Sequence, residues 1–198
     1  MKMLEKERNF LIAGVGGQGT VLASDIIGEA AIRQGLDAKK SDILGLAVRG
    51  GSVVSHVRWG EKVDAPVLDH GDADFLIGFE WVETFRQLSY LKPGGQVIVN
   101  QCRIDPMTVS TGKAQYPSEE KMLKAFSQAA GQVHVVPGLE TALDLGNSRT
   151  LNIVLLGALC KVLGQDLELW QEVVKDRVPA KFVELNLEAI QRGFNLID

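Results

Sequence analysis

Short apolar runs alternate with stretches of helical spacing along most of this chain. From Phe10 to Ala13 every residue is apolar, which predicts a buried strand. Beyond it, Val21, Leu22, Ile26, Ile27, Ala30 and Ala31 recur at helical intervals, so a helix is predicted from Thr20 to Gln34, with Gly35 as its stop. Leu36 to Gly51 shows no clear pattern. Ser52 to Gly60 alternates and is β-branched, predicting a half-buried strand with Val54, His56 and Arg58 on one face and Val53, Ser55, Val57 and Trp59 on the other. Val67-Leu68 predicts a short strand, and Asp74 to Phe79 a better one that ends at Glu80. A short helix from Trp81 to Leu91 precedes Pro93-Gly94-Gly95, and Gln96 to Asn100 reads as another buried strand. Ile104 to Pro117 is loop-like with room for a short strand. Ser118, followed by Glu119 and Glu120, caps a helix that runs to Ala130, and Gln132 to Val136 is a strand.

After the turn at Pro137-Gly138 the chain becomes helical. Helices are expected near Leu151 to Leu163, Leu167 to Lys175 and Pro179 to Arg192. The alternation of strands and helices up to residue 136 predicts an α/β layered fold with a largely parallel sheet, flanking helices and a helical C-terminal segment. One domain is expected, with an α/β part over about residues 8–137 and a helical part over about 139–198.

Composition narrows the function classes. The 198 residues are 45% hydrophobic and 23% charged, with a formal net charge of -4. That is enough for one sizeable core, and it lacks the basic footprint of a nucleic-acid binder. No apolar run approaches the ~20 residues that span a bilayer. Lys2, Lys6 and Arg8 precede an apolar stretch, but Glu5 and Glu7 break the charge and no cleavage signal follows, so no secretory leader is expected. The two cysteines, Cys102 and Cys160, are too few for an iron–sulfur cluster and form no C-x-x-C motif. Cys160 reads as a small buried hydrophobe, and the whole pattern fits a reducing cytoplasm.

The richest chemistry follows the first strand. Gly14-Val15-Gly16-Gly17-Gln18-Gly19-Thr20 satisfies G-x-G-x-x-G between a strand and a helix, where backbone N–H groups suit an anion. A dinucleotide site would add an acid at the end of a second apolar strand. Here Asp37 stands near the right distance but in a segment that is not apolar, so NAD(P) or flavin binding is disfavoured. A phosphate-bearing ligand, a partner surface, and a packed turn without any ligand stay open. Arg49-Gly50-Gly51-Ser52 is the second cluster, with paired glycines for close backbone approach and a guanidinium suited to phosphate or carboxylate, or to a surface ion pair. Glu80 and Asn100 follow strand ends, the edge where ligands gather in open parallel sheets, though Glu80 also suits a helix cap. His56 is expected to be structural, His70 to sit in a solvated turn, and His134 to face solvent.

These separated motifs, in order, resemble the gamma-type subunits of 2-oxoacid:ferredoxin oxidoreductases, with closest likeness to the smaller subunit of the indolepyruvate enzyme. The likeness rests on Gly14 to Gly19, Arg49 to Arg58, Asp74 to Glu80, the Asn152 to Gly164 helix and the Asn186 to Gly193 end. It covers nearly the whole chain. One departure is Val48, where such subunits often carry Gln. The resemblance implies CoA-dependent oxidative decarboxylation of a 2-oxoacid, typically an aryl pyruvate, to an acyl-CoA with reduction of ferredoxin. It implies a larger partner subunit holding thiamine diphosphate, magnesium and iron–sulfur clusters, with no cofactor bound stably by this chain alone. The expected contribution of this chain is an edge built from Gly14, Gly16, Gly17, Gln18, Gly19, Thr20, Arg49, Gly50, Gly51, Ser52, Glu80 and Asn100, facing CoA or the partner. No nucleic acid and no membrane are expected as partners.

Overall fold

A computed structural model describes residues 7–45 and 50–197. Its centre is the apolar run at the start of the chain, which forms β1 (Arg8–Val15), with Phe10 to Ala13 fully buried. A run apolar on both sides must be covered on both faces, and it is. One neighbour, β4 (Ala73–Gly78), is parallel to it, with Phe10 opposite Phe75 and Ala13 opposite Gly78. Beyond β4, β5 (Leu91–Asn100) and β6 (Gln132–Val136) continue in the same direction. On the other side β3 (Ser52–Gly60) runs antiparallel to β1, and β2 (Asp37–Leu44) runs antiparallel to β3 at the outer edge. The order is therefore β2-β3-β1-β4-β5-β6, with β3 alone reversed.

Two apolar layers flank the sheet. One face packs α1 (Thr20–Arg33) together with α6 (Leu151–Val162), α7 (Leu167–Arg177) and α8 (Val183–Asn195) around Phe10, Ile12, Val57 and Ile77. The other face packs α2 (Trp81–Arg86) and α4 (Glu119–Ala129) around Leu11, Ala13, Leu76 and Val97. Helix α6 is buried from Leu151 to Cys160, as a helix apolar all round must be. It crosses α8 where Gly157 faces Ile190 and Gly193 faces Val154, with no room for a side chain on either glycine.

Several sequence expectations need correction. The unpatterned stretch after Gly35 contains β2, whose polar side chains are paired off. Lys40 Nζ lies 2.6 Å from Asp25 and 2.8 Å from Asp42, and the Asp42 carboxylate accepts from Ser55 Oγ at 2.6 Å. Charged residues of this kind protect an edge strand, so the usual apolar signal is missing. Strand β3 is buried on both faces rather than half-buried, because Val57 and Trp59 pack with α1 on one face and the 61–72 loop brings Leu68 over His56 on the other. Val67-Leu68 forms no strand; Leu68 fills the core from a loop. The helix expected to Leu91 ends at Arg86, a 3-10 turn spans Leu88–Tyr90, and Pro93-Gly94-Gly95 lies in β5 at a register shift. Between Ile104 and Pro117 there is a short helix, α3 (Met107–Ser110), and no strand. A further helix, α5 (Gly138–Asp144), follows the Pro137 turn directly. His134 is half-buried, with Nε2 3.0 Å from Gln96 Oε1, instead of facing solvent.

Candidate functional site

The glycine turn joins β1 to α1, and its conformation explains its composition. Gly17 and Gly19 adopt φ of 106° and 84°, the left-handed region that glycine alone enters freely. Gly14 is extended but crowded, since a Cβ there would lie 2.8 Å from Thr20 Cγ2 and 3.0 Å from Phe79 Cβ. Gln18 does not reach outward. Its Oε1 accepts from Val15 N–H at 2.8 Å and its Nε2 donates to the Phe79 carbonyl at 3.0 Å, pinning the turn to the end of β4.

The second glycine cluster comes to the same place. Gly16 N–H donates to the Gly51 carbonyl at 2.8 Å, Gly50 N–H donates to the Gly16 carbonyl at 3.3 Å, and Ser52 pairs with Val15. Two motifs well separated along the chain thus form one backbone ledge beside the carboxyl end of β1. Arg49 lies outside the described residues. Helix α1 opens onto this ledge with Gly19 as its N-cap, no capping side chain and no acid in its first turn. Its first intrahelical bond is from Ala23 N–H to the Gly19 carbonyl at 3.0 Å. The N–H groups of Thr20, Val21 and Leu22 therefore precede any intrahelical partner, the arrangement that suits an anion. Thr20 itself is buried against Gly14.

Glu80 and Asn100 stand at the same sheet edge, each tied into the fold. Glu80 caps α2, with Oε2 accepting from Glu83 N–H at 2.9 Å. Its Oε1 accepts from Ile104 N–H at 3.2 Å and from the Tyr116 hydroxyl. Burial, then the Glu80 carboxylate, drive the Tyr116 pKa far above its ordinary value, so this phenol stays protonated as a donor. Asn100 is fully buried; its Nδ2 donates to the Phe79 carbonyl at 3.1 Å and its Oδ1 accepts from Leu139 N–H at 3.1 Å. Three carboxyl ends are thereby locked together, because Phe79 also bonds Gln18, and its N–H donates to the Ala13 carbonyl at 2.8 Å.

Asn152 is a site-edge residue that spacing did not single out. From the start of α6 its Nδ2 donates to the Gly19 carbonyl at 3.4 Å, and a Cβ on Gly19 would lie 2.6 Å from it. An Asn near the N-terminus of an apolar helix was the available signal, but the contact spans 133 residues. Asp37, the one acid near dinucleotide spacing, begins β2 and accepts from Val63 N–H at 2.9 Å. Strand β2 is also separated from β1 by β3. No ribose-binding acid therefore faces the turn from this strand.

His56 is buried in β3 with Nδ1 accepting from Leu68 N–H at 3.1 Å, and His70 lies exposed in its turn with Nδ1 3.0 Å from Ser89 Oγ. The cysteines do not fit an iron–sulfur cluster, because two thiols are too few and they stand apart in the chain, Cys102 just past β5 and Cys160 within α6. The Cys160 thiol is pushed up to about 12, and burial followed by the Glu80 charge raises Cys102. Among the described residues no three His, Cys, Asp or Glu side chains gather as a metal site, and no helix is long and apolar enough to cross a membrane.

Known proteins carry the same chain plan. Indolepyruvate oxidoreductase subunit IorB of Thermococcus kodakarensis is 38% identical over 191 residues, covering 95% of each chain. The 2-oxoglutarate synthase subunit KorC of Methanothermobacter thermautotrophicus is 30% identical over 199 residues, covering 98% of this chain and 97% of its own. The crystal structure of a keto/oxoacid ferredoxin oxidoreductase gamma subunit from Geobacter sulfurreducens matches with a TM-score of 0.69 at 28% identity, over 96% of this chain and 97% of that one. Residues 9–196 match the pyruvate ferredoxin/flavodoxin oxidoreductase family, and the chain belongs to that family.

Proposed function

We propose that this protein is a non-autonomous subunit of an indolepyruvate-type 2-oxoacid:ferredoxin oxidoreductase. The observation that carries the reading is end-to-end similarity, at 38% identity, to a protein named as an indolepyruvate oxidoreductase subunit. The complex would convert aryl pyruvates and CoA to acyl-CoA and CO2 while reducing ferredoxin. Thiamine diphosphate with magnesium would supply the decarboxylation chemistry and iron–sulfur clusters the electron transfer, all held by a larger subunit in the cytoplasm. This chain's own residues would then bind and orient. The open first turn of α1, with Gly16, Gly17, Gly50 and Gly51 beside it, would seat the CoA phosphates. Arg49, next to Gly50 in sequence, would add charge to that seat. Gln18, Glu80 and Asn100 would hold the ledge rigid through the bonds they make to Val15, Phe79, Glu83, Ile104 and Leu139.

The test is anaerobic dye reduction by the co-expressed complex. Indolepyruvate with CoA should turn over only when both subunits are present, and faster than 2-oxoglutarate. A larger subunit whose activity is unaltered by this chain would overturn the subunit role. Arg49→Ala should raise the CoA concentration needed for half-maximal rate several-fold, at unchanged KM for the oxoacid. An unchanged CoA dependence would remove the phosphate seat while leaving the subunit role intact.

A further inference from the structure

Between β5 and α4 the chain makes an excursion that bonds to itself. None of residues 105–115 is buried, and Met107 on α3 is 81% exposed. Among the described residues, the hydrogen bonds of this stretch stay within the excursion. Lys113 and Ala114 N–H donate to the Thr108 carbonyl at 2.8 and 2.9 Å, Ser110 N–H to the Pro106 carbonyl at 3.0 Å, and Thr111 N–H to the Met107 carbonyl at 2.9 Å. A surface loop closed on its own contacts keeps its shape without help from the body of the protein.

Its attachment is concentrated at its two roots, and both meet one carboxylate. Glu80 Oε1 accepts from Ile104 N–H at 3.2 Å at the outgoing root and from the Tyr116 hydroxyl at the returning root. Arg103 bridges the roots, with its guanidinium 4.3 Å from the centre of the Tyr116 ring. Glu80 is 1% exposed. Arg103 pairs with Asp105 at 2.6 Å and Arg86 with Glu83 at 2.8 Å, so the buried Glu80 charge rests on N–H and O–H donors. Such a charge is costly when a donor leaves, which makes the two root contacts interdependent.

Cys102 stands just before the outgoing root and is 7% exposed. Burial, then the Glu80 charge, raises its pKa, so thiol and carboxylate are neighbours. The backbone up to this point is fixed to the sheet, because Gln101 N–H donates to the Val136 carbonyl at 2.8 Å and Trp81 N–H to the Cys102 carbonyl at 3.2 Å. Beyond the returning root, Ser118 caps α4.

We propose that residues 103–116 form a hinged arm, latched shut by Glu80, that opens as one unit and bares Cys102 and the Glu80 carboxylate at the carboxyl edge of the sheet. Opening breaks the two Glu80 contacts and leaves α3 and the ends of β5 and α4 intact, so it requires far less than global unfolding. Glu80 directly follows Phe79, whose carbonyl holds Gln18 and Asn100, so the arm acts on the strand end that pins the glycine turn. The latch is independent of what the glycine ledge binds.

The test is alkylation of the full-length chain by N-ethylmaleimide at fixed pH, each cysteine read by mass spectrometry, alongside hydrogen exchange at the Ile104 amide. Cys102 should react more slowly than in the unfolded chain, at a rate indifferent to low urea, because arm opening exposes little surface. Cys160, fully buried in α6, should react only through global unfolding, at a rate that rises steeply with urea. Tyr116→Phe should speed Cys102 alkylation and Ile104 exchange by one common factor of about ten, as loss of a hydrogen bond to a charged group does. Should Tyr116→Phe not fold, Arg103→Ala, exposed at the root, should speed both by a smaller common factor. The arm is overturned if Cys102 shares the rate and urea dependence of Cys160, or if it reacts as fast as in the unfolded chain. It is equally overturned if the variant leaves both rates unchanged, or moves Cys102 and Ile104 by different factors, which would make thiol exposure a fluctuation of Cys102 alone.

Discussion

Gly19 has no space for a larger residue. Its φ of 84° suits glycine, and Asn152 fills the volume that a Cβ would need. Gly19→Ala should therefore cost about 2 kcal/mol or more in denaturant unfolding, combining left-handed strain with the displacement of Asn152. Gly17→Ala is the control. That residue has φ of 106°, but no atom lies within 4 Å of the place an alanine methyl would take, so only the conformational part, about 1 kcal/mol, should appear. Asn152→Ala should recover part of the Gly19→Ala loss but none of the Gly17→Ala loss. Equal costs at both glycines would show that α6 does not brace the turn.

At the scale of elements, the crossing of α6 and α8 is the tightest joint. A Cβ on Gly157 would lie 2.1 Å from the Ile190 carbonyl oxygen, and one on Gly193 1.9 Å from that of Val154. Alanine normally favours a helix over glycine by about 1 kcal/mol. Here Gly157→Ala should instead destabilise by about 2 kcal/mol, because backbone cannot yield as a side chain does. A stabilised variant in thermal unfolding would refute that packing. The same elements show what local pattern reveals. The all-round apolar run of α6 and the period of α1 were legible because each element's own burial imprints its sequence. Strand β2 was not, because its polar groups are satisfied from other elements, Lys40 by Asp25, Asp42 by Ser55, and Asp37 by Val63 N–H. The candidate site divides the same way. Both glycine clusters were visible as motifs, while Asn152 and Tyr116 became visible only through contacts across long stretches of chain.

Over the whole molecule, one buried and one half-buried histidine link stability to pH. His56 and His134 both have pKa values lowered by burial, so the unfolded chain binds protons that the folded chain refuses. Their contribution is complete above the unfolded value of about pH 6.5 and is lost as pH falls below it through the lowered pKa of the folded state. Urea unfolding between about pH 7 and 5 should show declining stability, and His56→Gln should flatten the decline. An unchanged slope would mean that His56 takes up its proton in the folded state. The carboxylates of Glu29 and Asp42 act in a lower window. Glu29 is depressed mainly by hydrogen bonds from Arg177 and Arg33, while for Asp42 burial raises the pKa and the bonds from Lys40 and Ser55, with the Lys40 charge, together more than offset it. Their stabilisation is present above the ordinary carboxylate pKa and disappears in acid.

The sequence by itself determined the α/β class, most elements, the glycine turn and the family resemblance, since period, turn residues and motif order are properties of neighbouring residues. It also disfavoured a dinucleotide site. Tertiary structure decided where those pieces stand: the reversed β3 between β1 and β2, the bonding of Gly16 to Gly50 and Gly51, and the closing of residues 103–116 on Glu80. Strand order and such closures arise from contacts between distant segments, and such contacts leave no fixed spacing along the chain for a pattern to record.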